Sequence, residues 1–198
     1  MVRADSNIQT LDDLSGHTVS IGAEESGTER NATQILEFAG MPSSLVATKN
    51  LDYIEATKEL KAGDIDAFFC TAGLTTTVID ELSKECDIRL IPLTDTVISK
   101  MLESSSAYTS EVIPAGTYTG QTTDISTIGV KSVLITKADV SDDTIEQLTS
   151  LLFEKENEIS YSNSLKLELT YDFATDDIPI PFHDGAKRYY KACGYSTN

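Results

Sequence analysis

The chain contains no tryptophan, three cysteines, two histidines and 15 basic residues in 198 positions. Each scarcity excludes something. Against 32 acidic residues, the 15 basic ones leave a formal charge of −17. A surface this acidic repels phosphate backbones and anionic lipid, which argues against nucleic acid or a membrane surface as partner. Cys70, Cys86 and Cys193 are odd in number and widely spaced, without a C-x-x-C. They read as buried free thiols, not as a disulfide framework. His17 and His183 lie too far apart in sequence for a zinc spacing. No apolar run approaches the roughly 20 residues that span a bilayer. Met1-Val2-Arg3-Ala4-Asp5 does not read as a signal peptide, because no apolar stretch follows the basic residue. Neither a P-loop nor a G-x-G-x-x-G is present, and no metal or cofactor is expected.

What remains is the composition of a soluble globular protein, with 40% apolar and 24% charged residues. The length suits one large domain or two small lobes. Short apolar runs alternate with helical stripes through the first half. Strands are expected at Thr18–Gly22, Ser44–Thr48, Ile65–Cys70 and Ile88–Ile91. Helices between them carry Ala32, Ile35, Leu36 and Ala39; then Ile54, Thr57 and Leu60 behind the cap Asp52; then Val78, Ile79, Leu82 and Cys86. A further helix is expected from Thr94 to Glu103. The alternation predicts β-α-β units and a mainly parallel sheet. A looped stretch follows through Tyr118, which looks exposed, and then a strand from Thr127 to Thr136. Ser141-Asp142-Asp143 is expected to cap a helix with Ile145, Leu148, Leu151 and Leu152 inside. The remaining segments read as helical, with a break at Pro179-Ile180-Pro181 and a last helix capped by Asp184.

Four places carry chemistry. Ile21-Gly22-Ala23-Glu24-Glu25-Ser26-Gly27-Thr28-Glu29 runs from a strand through a Gly/Ser/Thr turn into a helix. Free N–H groups at a helix start, with hydroxyls beside them, form an anion cradle on Ser26, Gly27 and Thr28. On local pattern the same residues read first as an ordinary cap, the commoner use of Ser and Thr. Glu24 and Glu25 oppose a purely anionic guest and suit the ammonium of a zwitterion, or they belong to a solvated turn. Phe69, Thr71 and Gly73 lie at a strand's carboxyl end, where parallel sheets place ligands. Phe68 and Phe69 either both enter the core or point to opposite faces. Tyr118 and Gln121, beside Gly116 and Gly120, wall a pocket or form a surface loop. Cys70 is the one candidate nucleophile, and no histidine lies near it in sequence.

Taken in order, these stretches resemble the TAXI-type solute receptors of tripartite (TRAP) transporters. The likeness rests on Val2-Arg3-Ala4-Asp5-Ser6, Leu11 to Val19, Gly22 with Ser26-Gly27-Thr28-Glu29, Gly63 to Phe69, Ile113 to Tyr118 with Gly120-Gln121, and Pro181 to Ala186 with Tyr189-Tyr190. It implies an α/β fold of the type II periplasmic-binding-protein kind. The expected division is one complete lobe with a mainly parallel sheet, residues 7–123, and the returning half of the other lobe, residues 127–198. It further implies a non-enzymatic, extracytoplasmic receptor that captures a small carboxylate-bearing solute, such as glutamate or a dicarboxylate, for a TRAP membrane permease. Ser26, Gly27, Thr28, Glu29, Phe69, Thr71, Gly73, Tyr118 and Gln121 become its ligand contacts. Family members carry a longer stretch upstream, so an incomplete first lobe and self-association through its bare apolar face are expected. An enzyme on a similar fold, using Cys70, and a ligand-sensing effector domain are the competing readings.

Overall fold

The computed structural model describes residues 1–154 and 169–197. The expectation of helix at 155–168 lies outside the described residues. The chain divides into two compact units, Met1–Gly129 and Val130–Asn198.

In the first unit the elements run β1 (Val2–Arg3), β2 (Thr18–Ser20), α1 (Gly27–Phe38), β3 (Ala47–Lys49), α2 (Tyr53–Ala62), β4 (Ala67–Phe68), α3 (Thr77–Glu85), β5 (Ile88–Arg89), α4 (Asp95–Ser104), β6 (Tyr108–Ile113) and β7 (Ile125–Val130). A short 3-10 turn, Asp12–Leu14, precedes β2. Five strands form one sheet in the order β3-β2-β4-β1-β5. β2 runs parallel to both β3 and β4. β1 is antiparallel to both of its neighbours, with Val2 opposite Ala67 and Arg3 opposite Ile88. The α/β class and the mainly parallel sheet are as the sequence alternation predicts. The exception is β1, too short to carry a periodicity of its own.

The central strands β2 and β4 are covered on both sides, as parallel strands usually are, while the edge strand β3 is exposed. Val19 and Ile21 face α1 and α4, where they pack with Ala32, Ile35, Leu36, Val97 and Met101. Phe68 faces α2 and α3, beside Ala56, Leu60, Ile79 and Leu82. Phe68 is fully buried, while Phe69 is partly buried against the α1/α4 core. The two rings therefore take opposite faces, as strand alternation requires.

α2 differs from expectation in its phase. Ala56 and Leu60 point inward, and Ile54 is 58% exposed. Its inward stripe is Tyr53, Ala56 and Leu60, at three- and four-residue spacing. The Tyr53 hydroxyl is engaged by Thr28 of α1 and by Thr71 after β4, which fixes the helix rotation. Asp52 caps the helix as expected, accepting from the Glu55 amide at 2.8 Å.

In the second unit, α5 (Asp142–Glu154), α6 (Tyr171–Thr175) and α7 (Asp184–Ala192) follow. The strand expected to reach Thr136 ends at Val130, and residues 131–137 take no regular structure. α5 buries Ile145 and Thr149, leaving Leu148 and Leu151 outside. Thr149 is tolerated inside because its hydroxyl donates to the Ile145 carbonyl at 2.7 Å. The centre of this unit is aromatic: Phe153 stacks on Tyr171 at 4.3 Å between centroids, and Tyr171 on Tyr195 at 4.8 Å. The cap of α7 is His183, not Asp184, which is already the first helical residue. The imidazole accepts the Gly185 amide, leaving the Asp184 carboxylate to pair with Lys187 at 3.1 Å.

Candidate functional site

β2 and β4 are parallel neighbours, so the loops leaving their carboxyl ends lie side by side. The first loop, residues 21–26, leads into α1; the second, residues 69–76, leads into α3. Each holds one non-glycine residue in left-handed backbone conformation, Glu25 at φ 61° and Thr75 at φ 57°. For a β-branched residue such as Thr75 this conformation is costly, and such strain concentrates where loops are shaped for a purpose.

Gly22 sets the first loop. Its φ is +101°, and a Cβ placed there would lie 2.7 Å from the Thr28 Cβ. Only glycine lets the strand end pass this close to the helix start. Ser26 caps α1, its Oγ accepting the Glu29 amide at 3.1 Å. The amides of Gly27 and Thr28, in the same first turn, have no intrahelical partner to take. The Glu29 carboxylate folds back and accepts the Glu25 amide, at 2.6 Å, and Asn50 Nδ2, at 2.7 Å. Asn50 Nδ2 also reaches the Gly22 carbonyl at 3.1 Å. Glu29 thus orders the loop and lays a negative charge beside the free amides.

Tyr53 joins the start of α1 to the second loop. Its hydroxyl donates to the Thr71 carbonyl at 2.8 Å and accepts the Thr71 amide at 3.2 Å. The same oxygen lies 2.7 Å from Thr28 Oγ1. Since the phenol has one proton, and that proton goes to Thr71, Thr28 is the donor in this contact. Thr71 Oγ1 accepts from Asn31 Nδ2 at 3.3 Å, which leaves its own proton uncommitted on an exposed residue. Asn31 Oδ1 in turn accepts from Tyr108 at 2.9 Å.

Of the residues singled out from sequence, Ser26, Gly27, Thr28, Glu29 and Thr71 come together here. Phe69 flanks the group, half-buried, and Gly73 lies exposed in the second loop. Among the described residues, no hydrogen bond joins Tyr118 or Gln121 to Ser26–Glu29. Tyr118 is not the exposed residue expected: it is 5% exposed, in the core with Phe68, Leu60 and Cys70. Burial raises its hydroxyl above the ordinary tyrosine value, partly offset by hydrogen bonds to the main chain of Thr76 and Thr75. It therefore props the second loop from beneath. Gln121 ties its own loop, donating to the carbonyls of Ile113, Pro114 and Thr123 and accepting the Tyr118 amide. Tyr53, Asn31, Asn50 and Tyr108 went unremarked in the sequence. Only Tyr53 leaves a trace there, directly behind the cap Asp52 and in phase with Ala56 and Leu60.

Burial pushes the Cys70 thiol up to about 11, and the Tyr53 hydroxyl beside it offsets this only in part. That is the opposite of an activated nucleophile, whose pKa is lowered. Among the described residues, no group of three or more His, Cys, Asp or Glu is placed to hold a metal. No described helix is long and apolar enough to cross a membrane.

Among solved structures, the chain is similar to the periplasmic aliphatic sulphonate binding protein SsuA from Escherichia coli. The match has 17% identity and a TM-score of 0.38, and covers 79% of this chain and 45% of that one. The chain thus spans less than half the length of that protein. The model of the NMT1-like family matches residues 1–194, nearly the whole sequence, and the chain belongs to this family.

Proposed function

We propose that the chain is a non-enzymatic, extracytoplasmic solute receptor whose ligand lies at the joined carboxyl ends of β2 and β4. The observation that carries this reading is the Tyr53 hydroxyl, which ties Thr28, at the start of α1, to Thr71, in the loop after β4. The donors left there are the Gly27 and Thr28 amides and the Thr71 hydroxyl. All are neutral, and together they suit one carboxylate. Ser26 and Glu29 shape the loop that presents them. Glu24 and Glu25, exposed at the rim, suit the ammonium of an amino acid. Phe69 and Gly73 flank the ligand, and Tyr118 and Gln121 enter this reading as supports of the rim.

In this reading residues 7–123 are one lobe and residues 127–198 part of another. The solute is an amino acid such as glutamate, or a small dicarboxylate, handed to a TRAP-type permease. Self-association belongs to the same proposal: Leu134 and Ile135, 69% and 72% exposed, are apolar surface of the kind that association covers.

Isothermal calorimetry with glutamate, and separately with succinate, tests the reading. Saturable, stoichiometric binding without turnover is expected. It should weaken about tenfold or more in Thr71→Val, which keeps the shape and removes the hydroxyl. Binding of either ligand that Thr71→Val leaves unchanged, or no binding of either, overturns the assignment.

A further inference from the structure

We propose that His183 is a pH-operated joint between the starts of α5 and α7. In the observed state Nδ1 accepts the Gly185 amide at 3.1 Å and caps α7. An acceptor Nδ1 carries no proton, so the ring is neutral with its proton on Nε2. That N–H is buried and has no hydrogen-bond partner among the described residues. The side chain is only 10% exposed. On the Nδ1 side, Asp142 Oδ1 lies 3.8 Å away, on the first residue of α5.

The two helix starts are pressed together around this ring. A Cβ on Gly185 would lie 2.2 Å from the Asp142 carbonyl oxygen, so no other residue type fits without displacing a helix. The ring therefore has two sets of partners within a fixed frame. Neutral, it makes the cap and strands its Nε2 proton. Protonated, Nδ1 becomes a donor, the Gly185 amide loses its acceptor, and a small rotation brings the new N–H to the Asp142 carboxylate in a charge-assisted bond. A cation at a helix N-terminus also opposes the helix dipole, so the first turn of α7 loosens as the α5 contact strengthens.

The surrounding charges leave Asp142 to His183. On α5, Asp143 and Glu146 both pair with Arg188 of α7. On α7, Asp184 pairs with Lys187. Among the described residues, Asp142 has no other cation. Imidazole is the side chain whose charge ordinarily changes between about pH 5 and 8.

Amide hydrogen exchange and imidazole nitrogen shifts of the full chain, followed from pH 8 to pH 5, test this. At pH 8 the ring should carry its proton on Nε2 and the Gly185 amide should be protected. At pH 5 the ring should be an imidazolium, with Gly185 protection down about tenfold and Tyr190, deeper in α7, unchanged. His183→Asn keeps a capping oxygen without a titrating group, and its Gly185 protection should not vary with pH. Asp142→Asn should leave Gly185 protected at pH 8 and lessen the loss at pH 5, because the imidazolium then has no carboxylate to draw it from the cap. A ring still neutral at pH 5, native Gly185 protection that stays flat as the ring protonates, or a pH response that persists in His183→Asn would each overturn the proposal.

Discussion

The hydroxyl of Tyr53 both donates to the carbonyl of Thr71 and accepts its amide, at 2.8 and 3.2 Å. One helix-borne phenol thereby holds the loop after β4 by both ends of a single residue, and the start of α1 through Thr28.

Tyr53→Phe removes that oxygen and keeps the ring. Three hydrogen bonds are lost, and the Thr71 amide and carbonyl turn to water. A destabilisation of about 1–3 kcal/mol is expected, read from the urea midpoint of the first unit's transition. Faster hydrogen exchange at residues 71–76 should accompany it. An unshifted midpoint with unchanged exchange would show that these segments are held by other means.

Gly22→Ala should cost more. The new methyl would sit 2.7 Å from the Thr28 Cβ, on a backbone at φ +101°. Steric and conformational penalties act together, so a loss of about 2–4 kcal/mol is expected, with the start of α1 displaced. Calorimetric melting of the variant checks this, and native-like stability would mean that the strand end has room to retreat.

Cys70 makes a prediction at alkaline pH. Its thiol is held up to about 11 from an ordinary value of 9.0, chiefly by burial. Between these values the unfolded chain has released the proton while the folded chain keeps it. Unfolding then releases a proton, so the contribution is fully present below about pH 9 and falls as pH rises through about 11. Replacing Cys70 with Ala should flatten this part of the stability–pH curve. At pH 8, iodoacetamide should modify Cys70 in the folded chain far more slowly than in the urea-unfolded chain; equal rates would contradict the burial assigned to it.

Gly185→Ala probes the second unit alone. Its methyl would meet the Asp142 carbonyl at 2.2 Å. A main-chain atom cannot swing aside, so α7 must move. A loss of about 2 kcal/mol or more is expected, visible as shifted amide signals in α5 and α7. Signals from β2 and α1 should stay in place.

Much of the first unit was legible because its signals are local. Helix starts announce themselves through residues such as Ser26 and Asp52, and inward faces through stripes such as Ala32, Ile35 and Leu36. Where the reading slipped, a distant contact decided the outcome. Ile54 lies outside because Tyr53 is claimed by Thr28 and Thr71, both far from it in sequence. Leu148 and Leu151 stay outside because the aromatic centre built from Phe153, Tyr171 and Tyr195 sets how α5 lies. His183 displaced Asp184 as cap because an imidazole nitrogen serves where a carboxylate was assumed. For the candidate site, the backbone-bound part, Ser26 to Thr28, could be read from its turn chemistry. The part that gives it shape, Tyr53, Asn31 and Asn50, depends on which loops become neighbours, and no local spacing encodes that.

β1 is a two-residue strand lying between β4 and β5, and it meets them through Val2 opposite Ala67 and Arg3 opposite Ile88. Without it the sheet is a ribbon of three strands and a lone fourth. The piece that closes the sheet must wait for chain made much later, and closing so wide a loop is an entropic burden that slows folding. The last event in refolding of the first unit should therefore be the seating of Val2. Until Val2 is seated, a gap the width of one strand stands open between β4 and β5, with unpaired main chain on both sides, the kind of edge to which a stray strand adds.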